Sequence, residues 1–270
     1  MGSHETIRYE MSLRIAVVGK GGSGKSLIAG TLARVLAQRG EQVLTLDSDL
    51  VPGLTFSLGL GLRAEAMLSE AAEKNEKGRW RLRRGIGPVR AIQRYSIEAP
   101  DGVRHLQCGK ADGDGVAPIM GSVNAFYEVI HRLRRAERFR EWAIIGDLPA
   151  GPRQVAFEWV PYARSFLLVV EPTWKSAMTA RRIARIIRSR PGASVLPVAS
   201  RISGPSDRTL VERMIGERTF GSVPSDPAVA AAERKGLAVL DEAPDCPAVH
   251  AIRGLADRLT DANDEEARQR

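Results

Sequence analysis

The sequence predicts an α/β fold, a doubly wound, mostly parallel β-sheet flanked by helices. Short apolar stretches typical of buried strands alternate with longer segments of helical apolar spacing. The first such strand, residues 13–18, leads into a glycine-rich turn and then a helix, and several later strands end in polar residues. We therefore predict one P-loop domain over residues 12–262, with a flexible N-terminal extension at 1–11 and a polar tail at 263–270.

The composition is typical of a globular protein from a reducing compartment. Hydrophobic residues make up 43% of the chain, and no apolar run approaches the ~18 residues of a membrane span. The N-terminus lacks the apolar core of a signal peptide, and the C-terminal tail lacks an apolar anchoring face. Cys108 and Cys246 lie far apart without C-x-x-C spacing, which argues against a disulfide framework. We expect a cytoplasmic protein with no membrane anchor.

The charge leaves several partner classes open. The net charge of +8 permits binding to nucleic acid, an acidic protein or an anionic nucleotide. Two segments, 81–90 and 181–188, are rich in arginine, and each is either a solvated face or a partner surface. Aromatic residues are only 5% of the chain, so stacking on bases is not expected to be the main binding mode.

Residues 19–26 fit the phosphate-binding pattern G-x-x-x-x-G-K-[ST]. Glycines let the backbone turn tightly and bring its N–H groups close to an anion, and the following helix adds the positive end of its dipole. Lys25 would reach the β- and γ-phosphates of a nucleotide, and the Ser26 hydroxyl would bind Mg²⁺. A plain glycine-rich turn with a solvated lysine is the alternative. The nucleotide-binding residues predicted from the loop and the first helical turn are Gly19, Lys20, Gly21, Gly22, Ser23, Gly24, Lys25, Ser26 and Leu27.

Two further predicted strands end in acidic residues. Residues 42–46 lead into Asp47 and Asp49, and residues 142–146 lead into Asp147. For Asp147 this is the Walker B pattern, in which the carboxylate holds Mg²⁺ through water. The alternative is that these acids only cap strand ends or helices.

The part of the chain between the two acid-ended strands is expected to differ from the rest. Residues 55–78 are predicted to be helical and exposed, as a mobile switch region. Stretches around 79–84, 88–97 and 103–107 are predicted to be strands of an insertion, with glycine-containing turns between them.

Lys20 follows the first glycine of the loop and gives the sequence K-G-G-x-G-K-S. Asp147 and Gly151 later form D-x-x-A-G, and Glu171 begins an E-P-T segment before a helix. On these motifs, in this order, the chain resembles the deviant Walker A ATPases of the SIMIBI class, the group of MinD, ParA, CooC and the nitrogenase iron protein. The resemblance implies that Lys20 crosses a dimer interface and stabilises charge on the partner's phosphates, as an arginine finger does. A solvated loop lysine is the alternative.

The resemblance also implies roles for the acidic residues and the D-x-x-A-G segment. Asp49 would position the attacking water, Asp47 would lie near Mg²⁺, and the N–H of Gly151 would sense the γ-phosphate. The implied catalytic residues are Lys20, Lys25 and Asp49, and the implied metal ligands are Ser26, Asp47 and Asp147.

The base-binding end of the site is also implied by the resemblance. Relatives end a late strand in Asn-Lys or Asn-Arg, where the asparagine contacts adenine, and this chain has Ser200 and Arg201 there. Val223 and Pro224 stand in a segment that resembles G-x-I-P-x-D, which lies against the base. The guanine-specific N-K-x-D is missing, so the predicted cofactors are ATP or ADP with Mg²⁺.

Among the subgroups, the chain resembles the CooC-type accessory ATPases most, although their C-x-C metal motif is missing. The resemblance implies ATP binding and slow hydrolysis, coupled to an ATP-dependent homodimer that acts on an unidentified protein client. Two alternatives remain at this point. One is a ParA-like positioning ATPase that binds non-specific DNA, and the other is a nucleotide-sensing dimer with negligible turnover.

Overall fold

The computed structural model of the protein describes residues 12–50, 53–61, 67–109, 116–157 and 159–269. The strands in these residues are β1 (Arg14–Gly19), β2 (Val43–Asp47), β3 (Ala72–Lys74), β4 (Trp80–Leu82), β5 (Ile97–Glu98), β6 (Arg104–Gln107), β7 (Ala143–Asp147), β8 (Ser165–Val170), β9 (Ser194–Ile202) and β10 (Gly221–Pro224). The helices are α1 (Lys25–Gln38), α2 (Leu54–Ser57), α3 (Pro88–Tyr95), α4 (Val116–Leu133), α5 (Arg153–Ala156), α6 (Trp174–Arg188), α7 (Pro205–Ile215), α8 (Pro227–Lys235), α9 (Val239–Glu242) and α10 (Pro247–Arg268).

Eight of these strands form one sheet in the order β10-β9-β8-β1-β7-β2-β6-β5. Neighbouring strands are parallel except β5, which pairs antiparallel with β6. β1 is central, and the chain moves from it to strands on both sides, so the carboxyl end of β1 lies where the direction of winding changes. That is where ligands bind in open α/β sheets. The predicted doubly wound, mostly parallel sheet is confirmed.

The sheet is buried on both faces, which explains why its strands are almost continuously apolar. In β1, Ile15 and Val17 belong to one core cluster, and Ala16 and Val18 belong to the other. Buried residues of α1 and α10 complete the first cluster, and buried residues of α4 and α6 complete the second. Alternate residues of one strand therefore serve two hydrophobic layers.

A buried arginine fastens α1 to two segments that are distant in sequence. Arg34 is only 4% exposed, and its guanidinium donates one hydrogen bond of 2.6 Å to Asp101 and two of 2.7 Å to Asp241. Desolvation works to lower the pKa of Arg34, but the hydrogen bonds to Asp241 and Asp101 outweigh it and raise the pKa. The helix that begins at the glycine-rich loop is thus held by charge-assisted bonds as well as by packing.

The predicted strand at 88–97 was wrong over most of its length. Residues Pro88–Tyr95 form α3, and only Ile97–Glu98 are extended. Pro88 occupies the start of α3, a position where its fixed φ suits a helix and its missing N–H costs nothing. The strand predicted at 103–107 exists as β6, but it pairs with β2 in the main sheet and is not part of an insertion.

The predicted exposed helix at 55–78 was wrong in the residues that can be described. They contain the short α2, a 3-10 turn at Met67–Ala71 and the strand β3, which pairs with β4. Leu58 and Leu68 are buried, because they pack into the two core clusters. Residues 62–66 lie outside the described residues.

The C-terminal helix extends further than the sequence suggested. α10 continues to Arg268, so the expected boundary at residue 262 falls within a helix. In the part of the chain that the structure describes, no helix combines the length and apolar character needed to cross a bilayer.

A buried histidine in β6 makes the stability of this fold depend on pH. His105 is fully enclosed, its Nδ1 lies 2.9 Å from Thr45 Oγ1, and burial lowers its pKa from 6.5 to about 4. Between these values the unfolded chain binds a proton that the folded chain does not, so the free energy of unfolding falls as pH drops from 6.5 towards 4. We expect this one group to remove about 2 kcal/mol between pH 7 and pH 5.

Urea unfolding at the two pH values tests this expectation. His105→Gln should lack that part of the pH dependence, whereas His250→Gln, at an exposed histidine, should keep the wild-type difference. Comparing variants removes the contributions of the carboxylates, which titrate in the same range. Equal pH dependence in wild type and His105→Gln would show that His105 is not the group responsible.

Candidate functional site

The glycine-rich loop joins the end of β1 to the start of α1, and its glycines are required by close contacts and backbone angles. A Cβ on Gly19 would lie 2.5 Å from the carbonyl oxygen of Val169 on β8. Gly22 and Gly24 have φ of 77° and 93°, in the left-handed region that favours glycine. Gly21 and Gly22 are exposed at the crest of the loop. The loop therefore has the tight turn and the open backbone that the sequence predicted.

Two hydrogen bonds inside the loop converge on the carbonyl oxygen of Lys20. Ser23 Oγ donates a hydrogen bond of 2.8 Å to the Lys20 carbonyl, and Lys25 Nζ donates one of 3.3 Å to the same oxygen. Lys25 is 9% exposed, so its ammonium group lies within the site rather than in solvent. Gly24, at the N-cap of α1, provides no side chain to cap the helix, and Ser26 and Leu27 are half-buried in its first turn. Such a helix start is suited to binding an anion.

Beside the loop, two carboxylates lie next to each other at the ends of neighbouring strands. β2 and β7 pair in parallel with Asp47 opposite Asp147. Ser26 Oγ donates a hydrogen bond of 2.5 Å to Asp147 Oδ2, and the N–H of Asp49 donates one of 2.9 Å to Asp47 Oδ1. The other oxygens, Asp47 Oδ2 and Asp147 Oδ1, are buried and have no hydrogen-bond partner among the described residues.

Burial makes both acids reluctant to ionise. Desolvation, with the neighbouring Asp147 charge, raises the pKa of Asp47 well above its usual range. Desolvation also raises the pKa of Asp147 to about 6, although the Ser26 hydrogen bond and the Lys25 charge act in the opposite direction. Both acids therefore ionise less readily than in water unless further positive charge is brought to the site.

This donor set fits a magnesium ion. Two buried carboxylate oxygens without partners and a serine hydroxyl are hard oxygen ligands, and Mg²⁺ commonly binds one or two carboxylates together with waters and phosphate oxygens. Among the described residues there is no larger cluster of metal-ligating side chains, and a magnesium site of this type does not need one.

The segment after β7 lies against the loop. The N–H of Gly151 donates a hydrogen bond of 3.1 Å to the Gly19 carbonyl, and a Cβ on Gly21 would be 3.5 Å from that of Ala150. The predicted D-x-x-A-G segment is therefore in direct contact with the loop. Asp49, at the end of β2, is half-buried beside the same carboxylates.

The predicted base-binding residues lie together at the next strands along the sheet. β10 pairs with β9 so that Val223 lies opposite Ser200, next to the irregular register at Pro224. Ser200 Oγ is 3.1 Å from the place that a Cβ on Gly24 would occupy, which puts it beside the loop. The Val223 side chain is in the hydrophobic core, so only its backbone can face a ligand. Arg201 is exposed and has a φ of 55°.

Lys20 makes a contact that the sequence did not predict. Its Nζ lies 3.3 Å from Oε2 of Glu171, at the carboxyl end of β8 in the same chain. The sequence marked Glu171 only as part of a motif. Its position at the end of a predicted strand could have indicated that Glu171 lies near the site. Its pairing with Lys20 could not be predicted, because it depends on β8 lying beside β1 in the sheet.

A glycine loop between a central strand and a helix, with a serine and two carboxylates beside it, defines a P-loop nucleotide-binding protein. The chain belongs to the family of the CobQ/CobB/MinD/ParA nucleotide binding domain, whose model matches residues 15–239. It is 27% identical over 247 residues to the carbon monoxide dehydrogenase accessory protein CooC of Rhodospirillum rubrum, covering 87% of this chain and 92% of that protein.

Solved structures agree with the fold. A ParA family ATPase from Chlorobium tepidum superposes with a TM-score of 0.70 at 20% identity, covering 91% of this chain and 98% of that one. The septum site-determining protein MinD of Pyrococcus horikoshii, solved with Mg-ADP, also gives 0.70, at 17% identity over 92% and 96% of the two chains. At such identities the likeness establishes the fold.

The crowded carboxylates predict a stabilising substitution. Asp47→Asn removes one of two neighbouring buried charges and keeps an oxygen that can accept the Asp49 N–H. Above the raised pKa of Asp147 the wild-type pair is penalised, so at pH 8, without nucleotide or Mg²⁺, we expect Asp47→Asn to raise the free energy of unfolding by about 1 kcal/mol.

Chemical unfolding at pH 8 measures this effect. Asp261→Asn, at an exposed aspartate of α10, should stay within about 0.5 kcal/mol of wild type. If Asp47→Asn instead lowers the free energy of unfolding, other groups of the folded chain already compensate the charges of the two carboxylates.

Proposed function

We propose that this protein is an ATPase that binds ATP with Mg²⁺, hydrolyses it slowly, and acts on a protein client as an ATP-dependent dimer. The observation that carries the proposal is that the buried Lys25, Asp47 and Asp147 and the half-buried Ser26 come together at the carboxyl end of the central strands. These residues supply a cation for phosphate and oxygen ligands for a divalent metal within one site.

Each residue has a distinct part in phosphoryl transfer. The loop N–H groups and Lys25 bind and orient the β- and γ-phosphates, while Ser26, Asp47 and Asp147 hold Mg²⁺. When bound, Mg²⁺ supplies positive charge that offsets the charge developing on the phosphate oxygens. Asp49 positions the attacking water, and Gly151 senses the γ-phosphate by exchanging the hydrogen bond of its N–H to the Gly19 carbonyl for one to the phosphate. Adenine lies against Ser200, Arg201 and the Val223–Pro224 backbone.

The proposed dimer rests on the role of Lys20. Family resemblance gives this lysine a role on the partner's phosphates, and its side chain is 38% exposed at the rim of the loop. Two bound ATP molecules would each be contacted by a lysine from the other chain, so nucleotide would stabilise the dimer and hydrolysis would release it.

The client is proposed from the CooC relative, whose name describes an accessory protein of another enzyme. Metal transfer through cysteines is not part of this proposed function. Cys108 and Cys246 are buried, and burial, together with the charges of Asp47 and Asp49, raises the pKa of Cys108 to about 12, which disfavours the thiolate that binds metals.

Molar mass in solution tests the switch. With Mg²⁺ and a non-hydrolysable ATP analogue, light scattering should give twice the mass found with Mg²⁺ and ADP. Lys25→Ala should lose nucleotide binding, whereas Lys20→Ala should bind ATP but turn over about a thousandfold more slowly. An unchanged mass in both nucleotides would exclude the ATP-dependent dimer, and turnover near zero in a wild-type dimer would favour a nucleotide sensor.

A ParA-like DNA-binding ATPase is the second candidate, and it is favoured by one face of α6. Arg181, Arg182 and Arg185 are exposed there and form no ion pair among the described residues. On this alternative, a random-sequence duplex should bind only with the ATP analogue, with log affinity falling linearly with log salt concentration. Arg181→Gln with Arg185→Gln should weaken this binding, and Arg188→Gln, which removes an arginine already paired with Glu217, is the matched control.

A further inference from the structure

One carboxylate joins two cations at the rim of the phosphate loop. Glu171 Oε2 lies 3.3 Å from Lys20 Nζ, and its other oxygen, Oε1, lies 3.9 Å from Arg201 Nη1. The Glu171 side chain is only 15% exposed, whereas Lys20 and Arg201 are 38% and 57% exposed. The carboxylate is therefore the sheltered and fixed member of the group, and the two cations are the members free to move.

The backbone around Glu171 supports this fixed position. Its N–H donates a hydrogen bond of 3.0 Å to Ser176 Oγ, and its carbonyl accepts one of 2.7 Å from the N–H of Thr173. Thr173 is also the N-cap of α6, where its side chain accepts from the N–H of Ser176. Glu171 is thus held between the end of β8 and the start of α6.

The second cation is also fixed at its backbone. Arg201 has a φ of 55°, which is uncommon for a residue with a side chain, and it sits near the end of β9, the strand beside β8. Its Nη1 lies nearest to Oε1, the oxygen of Glu171 that Lys20 does not contact. Each oxygen of one carboxylate therefore faces a different cation.

We propose that Glu171 is a positioning residue that retains Lys20 in its own chain until nucleotide draws the lysine away, and that Arg201 then takes over the carboxylate. The proposal rests on the proposed function in one respect, the action of Lys20 on a partner's phosphates. Polyphosphate carries more charge than one carboxylate and competes for the ammonium group. Because Arg201 is already close, the carboxylate keeps a counter-charge when Lys20 leaves.

Two substitutions should therefore act in opposite directions. Glu171→Gln removes the negative charge and frees Lys20. Arg201→Gln removes the competing cation and leaves Glu171 to hold Lys20 more tightly. In the double variant the effect of Arg201→Gln should disappear, because both effects act through the same carboxylate.

The first test needs no nucleotide and measures Lys20 directly. Acylation by an N-hydroxysuccinimide ester, followed by peptide mass spectrometry, reports how readily the amine of each lysine is available to react. We expect Lys20 to react about threefold faster in Glu171→Gln and about twofold more slowly in Arg201→Gln. Lys175, which is exposed and forms no ion pair among the described residues, gives the reference rate.

A second ion pair in the chain provides the matched control. Lys235 pairs with Glu242 at the surface, so Glu242→Gln should accelerate Lys235 and leave Lys20 unchanged. If Lys235 responds in that variant while Lys20 does not respond in Glu171→Gln, the retention of Lys20 is wrong. If Arg201→Gln accelerates Lys20, the competition by Arg201 is wrong.

A titration with the ATP analogue then separates this proposal from the proposed function. If the Glu171–Lys20 pair raises the concentration of ATP analogue needed to form the dimer, which we call the threshold role of Glu171, removing the pair should lower that concentration. Glu171→Gln should then reach half-maximal dimer at about threefold less analogue than wild type. An equal midpoint would overturn the threshold role. If wild type never dimerises, the proposed function fails and the threshold role with it, while the acylation rates still decide whether Glu171 holds Lys20.

Discussion

The parallel register of β2 and β7 is the constraint on which the site depends. It brings Asp47 and Asp147 side by side at the carboxyl end of a sheet that is buried on both faces. Two buried like charges are unfavourable unless positive charge is supplied; the Lys25 ammonium group supplies part of it, and the Ser26 hydroxyl adds a hydrogen bond to Asp147. The same arrangement that disfavours ionisation of the two acids gives the proposed Mg²⁺ two carboxylates at one place.

The loop is held in place by contacts with its neighbours. Gly19 packs directly on β8, and its carbonyl accepts the N–H of Gly151 from the segment after β7. A ligand that displaces the loop would therefore also displace that segment. Lys20 and Glu171 lie on the same rim, so the proposed regulation of the site is built from its immediate neighbours and needs no long-range pathway.

Predictions from sequence succeeded where the chemistry is local. The loop motif, the strand before it and the helix after it are contiguous, and the glycine at position 19 is required by a contact that any residue with a Cβ would violate. Prediction was least successful between residues 55 and 97, where the exposed helix at 55–78 and most of the strand at 88–97 were wrong, while the strands predicted at 79–84 and 103–107 exist as β4 and β6. There, alternating apolar residues fit a strand or a helix equally well, and Pro88 decided in favour of a helix. Placement of β6 beside β2 depended on sheet pairing, which no local pattern encodes.

The sequence by itself determined the fold class, the phosphate loop and the identity of the acidic residues, because each depends on residue types at fixed short spacing. Only the tertiary structure decided that Asp47 faces Asp147, that Ser26 bonds to one of them, and that Lys20 pairs with Glu171. These contacts join residues more than ninety positions apart, and they exist because parallel strands from distant parts of the chain end at one edge of the sheet.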